Sequence, residues 1–275
     1  MTCLGKDLLK TGVLNDNSSI LSIRSIVEFK AICDQYNVHS IRIIGTSALR
    51  EARDSADFIE KVRRVSGLKL EIIPGETEAE LTLAGISNLC KSGNESSLIL
   101  AIDVGGGSTE LILAGDSGLK CSIPVGALKL SEQFPFGDPP SPLVLRNMKT
   151  FVSTEFIPVI TRINEEARSS NRDITLIATG GTATNLASIS LAMTAYDGDK
   201  VHGHVLQHSA LLSLFERLSS VTLKERCGVK GLEMERADII LSGIVIILSI
   251  MESLDIEEIT VSDYGLMEGL MLTGN

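Results

Sequence analysis

Two glycine-rich segments and one acidic segment carry groups suited to phosphate chemistry. DVGGGSTE, Asp103–Glu110, sets three glycines between two carboxylates. The backbone N–H groups of Gly105, Gly106 and Gly107 can close on an anion because no Cβ stands in the way. Ser108 and Thr109 add hydroxyl donors, and Asp103 and Glu110 are of the type that binds Mg²⁺ directly or through water. A plain hairpin turn is the competing explanation, because glycine clusters are common in turns. ATGGTATN, Ala178–Asn185, offers the N–H groups of Gly180, Gly181 and Thr182 at an expected helix N-terminus, where the dipole also favours an anion. Its alternative is a capped strand-to-helix junction. Hydrolysis further needs a group that accepts or orients the proton of water, and PGETEAEL, Pro74–Leu81, delivers Glu76, Glu78 and Glu80. Helix geometry cannot put all three on one face, and spacing does not choose among them.

Two weaker constellations accompany these. GTSALREA, Gly45–Ala52, could present Thr46, Ser47 and Arg50 to an anion, with Arg50 as a directed charge. An ordinary solvated arginine is the alternative. VHGHVL places His202 and His204 two apart, on one side of any strand. Without a third ligand the pair is more simply structural than a metal site.

The elements that must position these groups alternate between helix and strand, which indicates an α/β chain. Ile26, Phe29, Cys33 and Tyr36 mark one face of a helix that ends before a strand at 40–45, and a turn follows that strand. Phe58, Ile59, Val62 and Val65 mark a second helix stopped near Gly67, before a strand at 68–73. Ala79, Leu83, Ile86 and Cys90 mark a third, with Glu76 and Glu78 in its first turn. Leu98–Asp103 and the segment after Ser108 read as a glycine hairpin, and 174–187 as strand, glycine turn and helix. Helices are expected at 205–218 and 233–254, a strand at 258–261, and a last helix near Gly265. The polar stretch Lys91–Ser97 is the candidate boundary between two lobes.

Length and composition narrow the functional classes. The 275 residues suit one large or two modest domains, and 44% hydrophobic residues supply ample core. A net charge of -10, from 35 acidic and 25 basic residues, argues against a broad nucleic-acid surface. Five scattered cysteines with no C-x-x-C spacing suggest neither a disulfide framework nor a zinc site, and fit a reducing, cytoplasmic setting. The first residues lack the features of a secretory signal. The longest apolar run, Ile239–Met251, contains Ser242, Gly243 and Ser249 and is too short to cross a bilayer, so a buried helix and no membrane association are expected.

In order along the chain, TSALREA, IPGETEAEL, DVGGGSTEL, ATGGTATNLA, VHGHVL, RADIILSG and GLMEGL resemble the exopolyphosphatase/guanosine pentaphosphatase (Ppx/GppA) family. The resemblance spans almost the whole chain. It implies the two-lobed fold of actin-like ATPases, sugar kinases and heat-shock chaperone ATPases. The implied activity is Mg²⁺-dependent release of terminal phosphate from polyphosphate or guanosine pentaphosphate. Glu78 is the implied catalytic base, Asp103 and Glu110 the implied magnesium carboxylates, and the glycine turns the implied phosphate holders. Taken with the polar stretch, the expected division is a partial first lobe at 1–95, with 264–275 packing back on it, and a second lobe at 96–263. Family members normally open with a strand and a loop like D-x-G-S/T-N-S, and this chain begins at sequence that corresponds to a position beyond it. The first lobe is therefore expected to be truncated, with a sheet edge or apolar surface that a second copy of the chain could cover as a homodimer. That departure leaves two alternatives open: a weakened or inactive polyphosphate- or nucleotide-binding regulatory protein, and a kinase of the same superfamily. Met267 stands where the family has arginine.

Overall fold

The computed structural model of the chain describes residues 2–87, 89, 97–114 and 118–273. These form two compact units, Met1–Gly75 and Glu76–Asn275.

In the first unit a short parallel pair, β1 (Ile43–Gly45) and β2 (Leu70–Ile72), aligns Ile43 with Leu70. Leu8, Leu14, Leu49, Phe58, Val62 and Leu70 are its buried core. The helix Asp16–Gln35 starts where the Asn15 side chain accepts a hydrogen bond from the Ser18 amide at 3.1 Å, an N-cap. Its packed side is Ile23 and Ile26. Phe29 and Tyr36, expected on the buried face, are 67% and 78% exposed. The reason lies in the sequence of this helix: Ile20, Leu21, Val27 and Ile32 are exposed too, so apolar residues run around it and periodicity alone picks no face. The strands are also shorter than the apolar runs that announced them, and a helix, Ser47–Glu51, stands where a turn was expected.

The second unit is built on six strands: β3 (Leu98–Val104), β4 (Thr109–Ala114), β5 (Lys120–Ile123), β6 (Ile174–Thr179), β7 (Val205–Gln207) and β8 (Glu258–Val261). Their order is β5-β4-β3-β6-β8-β7. β3 is central, antiparallel to β4 and parallel to β6, and covered on both faces, which is why it reads as a nearly continuous apolar run. The helix Ile240–Ser253 is buried along its length except near its end, as its all-apolar sequence demands. No helix of the described residues is long and apolar enough to cross a membrane. Cys33, Cys121 and Cys227 are free thiols.

Three expectations change here. The expected helix at 205–218 is the edge strand β7 followed by the helix His208–Ser219, because Val205–Gln207 pair antiparallel with Glu258–Thr260. The expected helix at 233–254 is a 3₁₀ turn, Met234–Arg236, then Ile240–Ser253. The helix Gly75–Gly85, placed in the first lobe by sequence, groups almost wholly with the second unit. Ala79 and the adjoining Ile86 share a buried cluster with Ala101, Ile112 and Ile177 of the sheet. The C-terminal helix Leu266–Thr273 lies against that same segment, where a Cβ on Gly269 would stand 1.7 Å from the Leu81 carbonyl oxygen. The boundary stretch Lys91–Ser97 lies, save Ser97, outside the described residues.

Candidate active site

The hairpin β3–β4 places Asp103 directly opposite Glu110. Both carboxyls are raised, chiefly by burial. Burial, then the charge of Glu78, raise Asp103 from 3.8 to about 6, against an opposing pull from Arg236. Burial, then Glu78 and Asp103, raise Glu110 from 4.5 to about 8, although Ser122 and Ser108 donate hydrogen bonds to Glu110 Oε1 at 2.6 and 2.8 Å. Glu78 is therefore the third member of one carboxylate group. It is buried, whereas Glu76 and Glu80 are exposed and Lys120 reaches Glu80 at 2.9 Å. Of the three glutamates that spacing left open, Glu78 is the buried one.

The hairpin turn is held from one side. The Ala127 amide donates to the Gly105 carbonyl at 2.8 Å, and the Leu128 and Lys129 amides donate to that of Gly106 at 2.9 and 3.0 Å. In a planar trans peptide the next N–H points opposite to the carbonyl. The Gly106 and Gly107 N–H groups consequently face away from the helix Ala127–Gln133, and among the described residues neither has an acceptor. The close approach depends on Gly126, where a Cβ would lie 2.5 Å from the Gly106 carbonyl group.

The second turn is built the same way. β6 ends at Thr179, whose hydroxyl donates to the Tyr264 carbonyl at 2.7 Å. Gly180, at φ +82°, starts the helix Gly180–Ser190 and leaves first-turn amides without helical partners. A Cβ on Gly180 would stand 2.1 Å from Asp103 Oδ1, and one on Gly181 would stand 2.0 Å from the guanidinium carbon of Arg236. The absence of side chains here thus lets a carboxylate and a guanidinium close on one turn. Arg236 Nε donates to Glu233 Oε2 at 2.8 Å.

The structure brings Glu78, Asp103, Glu110, Gly105–Ser108 and Gly180–Thr182 into this one unit. It removes the Thr109 hydroxyl from the set of phosphate donors: that side chain is wholly buried and donates to the Val125 carbonyl at 2.6 Å. Ser108 is turned onto Glu110, and Thr182 is buried beside Gly243. Thr46, Ser47 and Arg50 belong to the first unit. Thr46 stands at the N-cap position of the helix Ser47–Glu51 without a side-chain capping hydrogen bond, Ser47 Oγ donates to Glu51 at 3.0 Å, and Arg50 Nη1 donates to the Ile73 carbonyl at 3.0 Å. His202 and His204 do not converge on a metal: His202 stacks on Tyr264 with centroids 4.4 Å apart, and His204 lies 3.1 Å from Ser190 Oγ. Sequence reasoning missed Arg236, which opens RADIILSG with no spacing that marks it, and Gly126, a lone glycine in an ordinary loop.

Mg²⁺ suits this donor set. Among the described residues no group of three or more His, Cys, Asp or Glu is arranged to hold a metal. Mg²⁺ ordinarily takes one or two carboxylates and fills its remaining positions with water and substrate oxygens. Asp103 and Glu110, paired across the hairpin, are carboxylates of the kind and number that such an ion takes.

An α/β sheet with carboxylates and two glycine turns at one end of its central strands defines a phosphohydrolase of the actin-like ATPase fold. The chain belongs to the Ppx/GppA phosphatase family, which it matches over residues 2–274. It is 25% identical to an exopolyphosphatase 2 of Mycobacterium tuberculosis over 98% of this chain and 86% of that one. It is 31% identical to a guanosine-5′-triphosphate,3′-diphosphate pyrophosphatase of Vibrio parahaemolyticus over 84% of this chain and 44% of that one. An exopolyphosphatase structure from Cytophaga hutchinsonii superposes with a TM-score of 0.83 at 26% identity, covering 98% of this chain and 86% of that one. The PPX-GPPA enzyme of Aquifex aeolicus gives 0.78 at 29%, covering 99% and 88%.

Proposed function

We propose that this chain is a Mg²⁺-dependent phosphoanhydride hydrolase that releases terminal phosphate from inorganic polyphosphate or guanosine pentaphosphate. The supporting observation is the buried Glu78, whose charge acts on the two carboxylates that flank the glycine hairpin. Unpaired N–H groups of Gly106 and Gly107 and of the Gly180 helix hold phosphate oxygens, and Arg236 adds charge beside the second turn. Mg²⁺, when held by Asp103 and Glu110, supplies positive charge against the phosphoryl oxygens. Glu78 accepts a proton from water as the water oxygen bonds to the terminal phosphorus. The bridging P–O bond breaks, giving orthophosphate and a chain one phosphate shorter.

Glu78→Gln keeps the shape and removes the base. Phosphate release should fall by about 10²–10⁴-fold, with tripolyphosphate binding retained. A variant that turns over at the normal rate would remove Glu78 from this role. Tight binding without any turnover by the unaltered protein would favour a regulatory binding role instead.

A further inference from the structure

Arg236 reaches the second glycine turn from a segment remote in sequence, so contacts have to fix its place there. Its guanidinium meets Gly181 face-on: a Cβ on Gly181 would stand 2.0 Å from the guanidinium carbon and 2.1 Å from each terminal nitrogen. Nε donates to Glu233 Oε2 at 2.8 Å, and among the described residues Nη1 and Nη2 have no hydrogen-bond acceptor. Those two nitrogens are the ones a phosphate oxygen can use. A long side chain loses rotamer freedom when held in one such pose. Arg236 depends for it on the 3₁₀ turn Met234–Arg236 that carries it.

Two contacts tie this segment to the helix Gly180–Ser190. Gly231, at φ +85°, packs on the Ser188 carbonyl, where a Cβ would stand 2.2 Å from the oxygen. Nearer the phosphate end, the buried Asn185 donates from Nδ2 to the Gly181 carbonyl at 3.0 Å and accepts at Oδ1 from the Glu233 amide at 2.8 Å. These partners fix the orientation of the Asn185 amide, since a backbone N–H only donates and a carbonyl only accepts. They also fix the residue type: an aspartate would lack the donor and an aliphatic side chain both groups. Gly181, Asn185, Glu233 and Arg236 thus close a ring, in which Asn185 touches both the turn and the segment that bears the guanidinium. We propose that Asn185 is a positioning residue for phosphate binding, which holds the Arg236 guanidinium against the Gly180–Gly181 turn and keeps Nη1 and Nη2 open to the anion received there. The inference rests on the phosphate role given above to that turn.

Calorimetric titration of the full chain with tripolyphosphate and Mg²⁺, in a double-mutant cycle with Arg236→Gln, tests it. Asn185→Asp keeps the size and the acceptor for Glu233 but loses the donor to Gly181. It should weaken tripolyphosphate by about fivefold, the scale of one hydrogen bond, and change kcat for phosphate release by less than about twofold. In the Arg236→Gln background the same change should weaken binding by less than about twofold. Glu233→Ala, at a half-exposed side chain, breaks the ring at another point and should behave alike, even where the Asn185 variant fails to fold. Unaltered affinity in folded Asn185→Asp overturns the proposal. An undiminished effect of either variant once Arg236 is gone also overturns it, and would mark Asn185 as part of the framework alone. Tripolyphosphate binding without phosphate release would count against the hydrolase and leave the cycle to decide Asn185, whereas no binding at all by the unaltered protein would overturn both.

Discussion

Replacing Glu110 with glutamine removes one of two carboxylates that face each other across β3 and β4, and leaves an oxygen for Ser108 and Ser122 to donate to. In the folded protein burial and the charges of Glu78 and Asp103 raise Glu110 to about 8 from 4.5. Between those values the folded chain holds a proton that the unfolded chain has released. Stability therefore falls as pH rises through this window, at up to about 1.4 kcal/mol per pH unit, and is fully present below the unfolded value. From pH 5 to pH 8 the loss reaches roughly 3–4 kcal/mol. Asp103, raised to about 6 from 3.8, adds to it in the lower part of the range. For a protein of this size that corresponds to a melting shift on the order of 10 °C.

The assay is thermal unfolding in EDTA across pH 5 to 8.5, with the unaltered protein and Glu110→Gln side by side, so that the titration of other groups cancels in the difference. The two should melt together near pH 5, and the variant should gain progressively toward pH 8. Mg²⁺ at pH 8 should recover the unaltered protein by mass action and the variant much less. A difference that is flat with pH, or that shrinks as pH rises, would refute the account of the carboxylate pair.

Other substitutions separate structural from phosphate-binding roles. Thr109→Val should cost about 1 kcal/mol in denaturant unfolding and leave KM for phosphate release unchanged, because the Thr109 hydroxyl is spent on the Val125 carbonyl. Gly126→Ala should cost about 1–3 kcal/mol and also weaken tripolyphosphate binding, since the added Cβ meets the Gly106 backbone at 2.5 Å and shifts the hairpin turn. Arg236→Gln should raise KM for phosphate release several-fold and lower the stability of Asp103 in its charged form, visible as a more alkaline rise in the pH–rate profile.

The parts of this molecule legible in the sequence were those in which one local rule sufficed. The glycine hairpin at Asp103–Glu110 and the strand–turn–helix at 174–190 were both readable because glycine punctuation and apolar runs coincide there. The face of the helix Asp16–Gln35 was not readable, since its apolar residues surround it. Nor was β7: Val205–Gln207 is a strand because β8 offers it an edge, a fact absent from its own residues. The site followed the same division. Asp103 and Glu110 were marked by their glycines. Spacing left Glu78 one of three glutamates, the family resemblance singled it out, and in the structure it is the buried one; Arg236 lies more than fifty residues from the turn it approaches.

That separation bears on how a polyanion can enter. Glu78, Asp103 and Glu110 form a group of three carboxyls, and the guanidinium beside them, Arg236, is already engaged by Glu233. Without added cation the N–H groups of the two turns offer only partial charges against this negative field. Phosphate oxygens and ionised carboxylates are therefore expected to share the site only when a divalent cation lies between them, so cation and phosphate should bind with positive coupling. The coupling should also be reciprocal: tripolyphosphate should tighten Mg²⁺ binding by the same factor by which Mg²⁺ tightens tripolyphosphate. Titrating tripolyphosphate in EDTA and in Mg²⁺ measures that factor directly. It should collapse in Glu110→Gln, where one carboxylate of the proposed cation pair is lost. Equal tripolyphosphate affinity with and without Mg²⁺ would mean that the turn amides and Arg236 suffice, and that the Asp103–Glu110 pair is held apart by the protein alone.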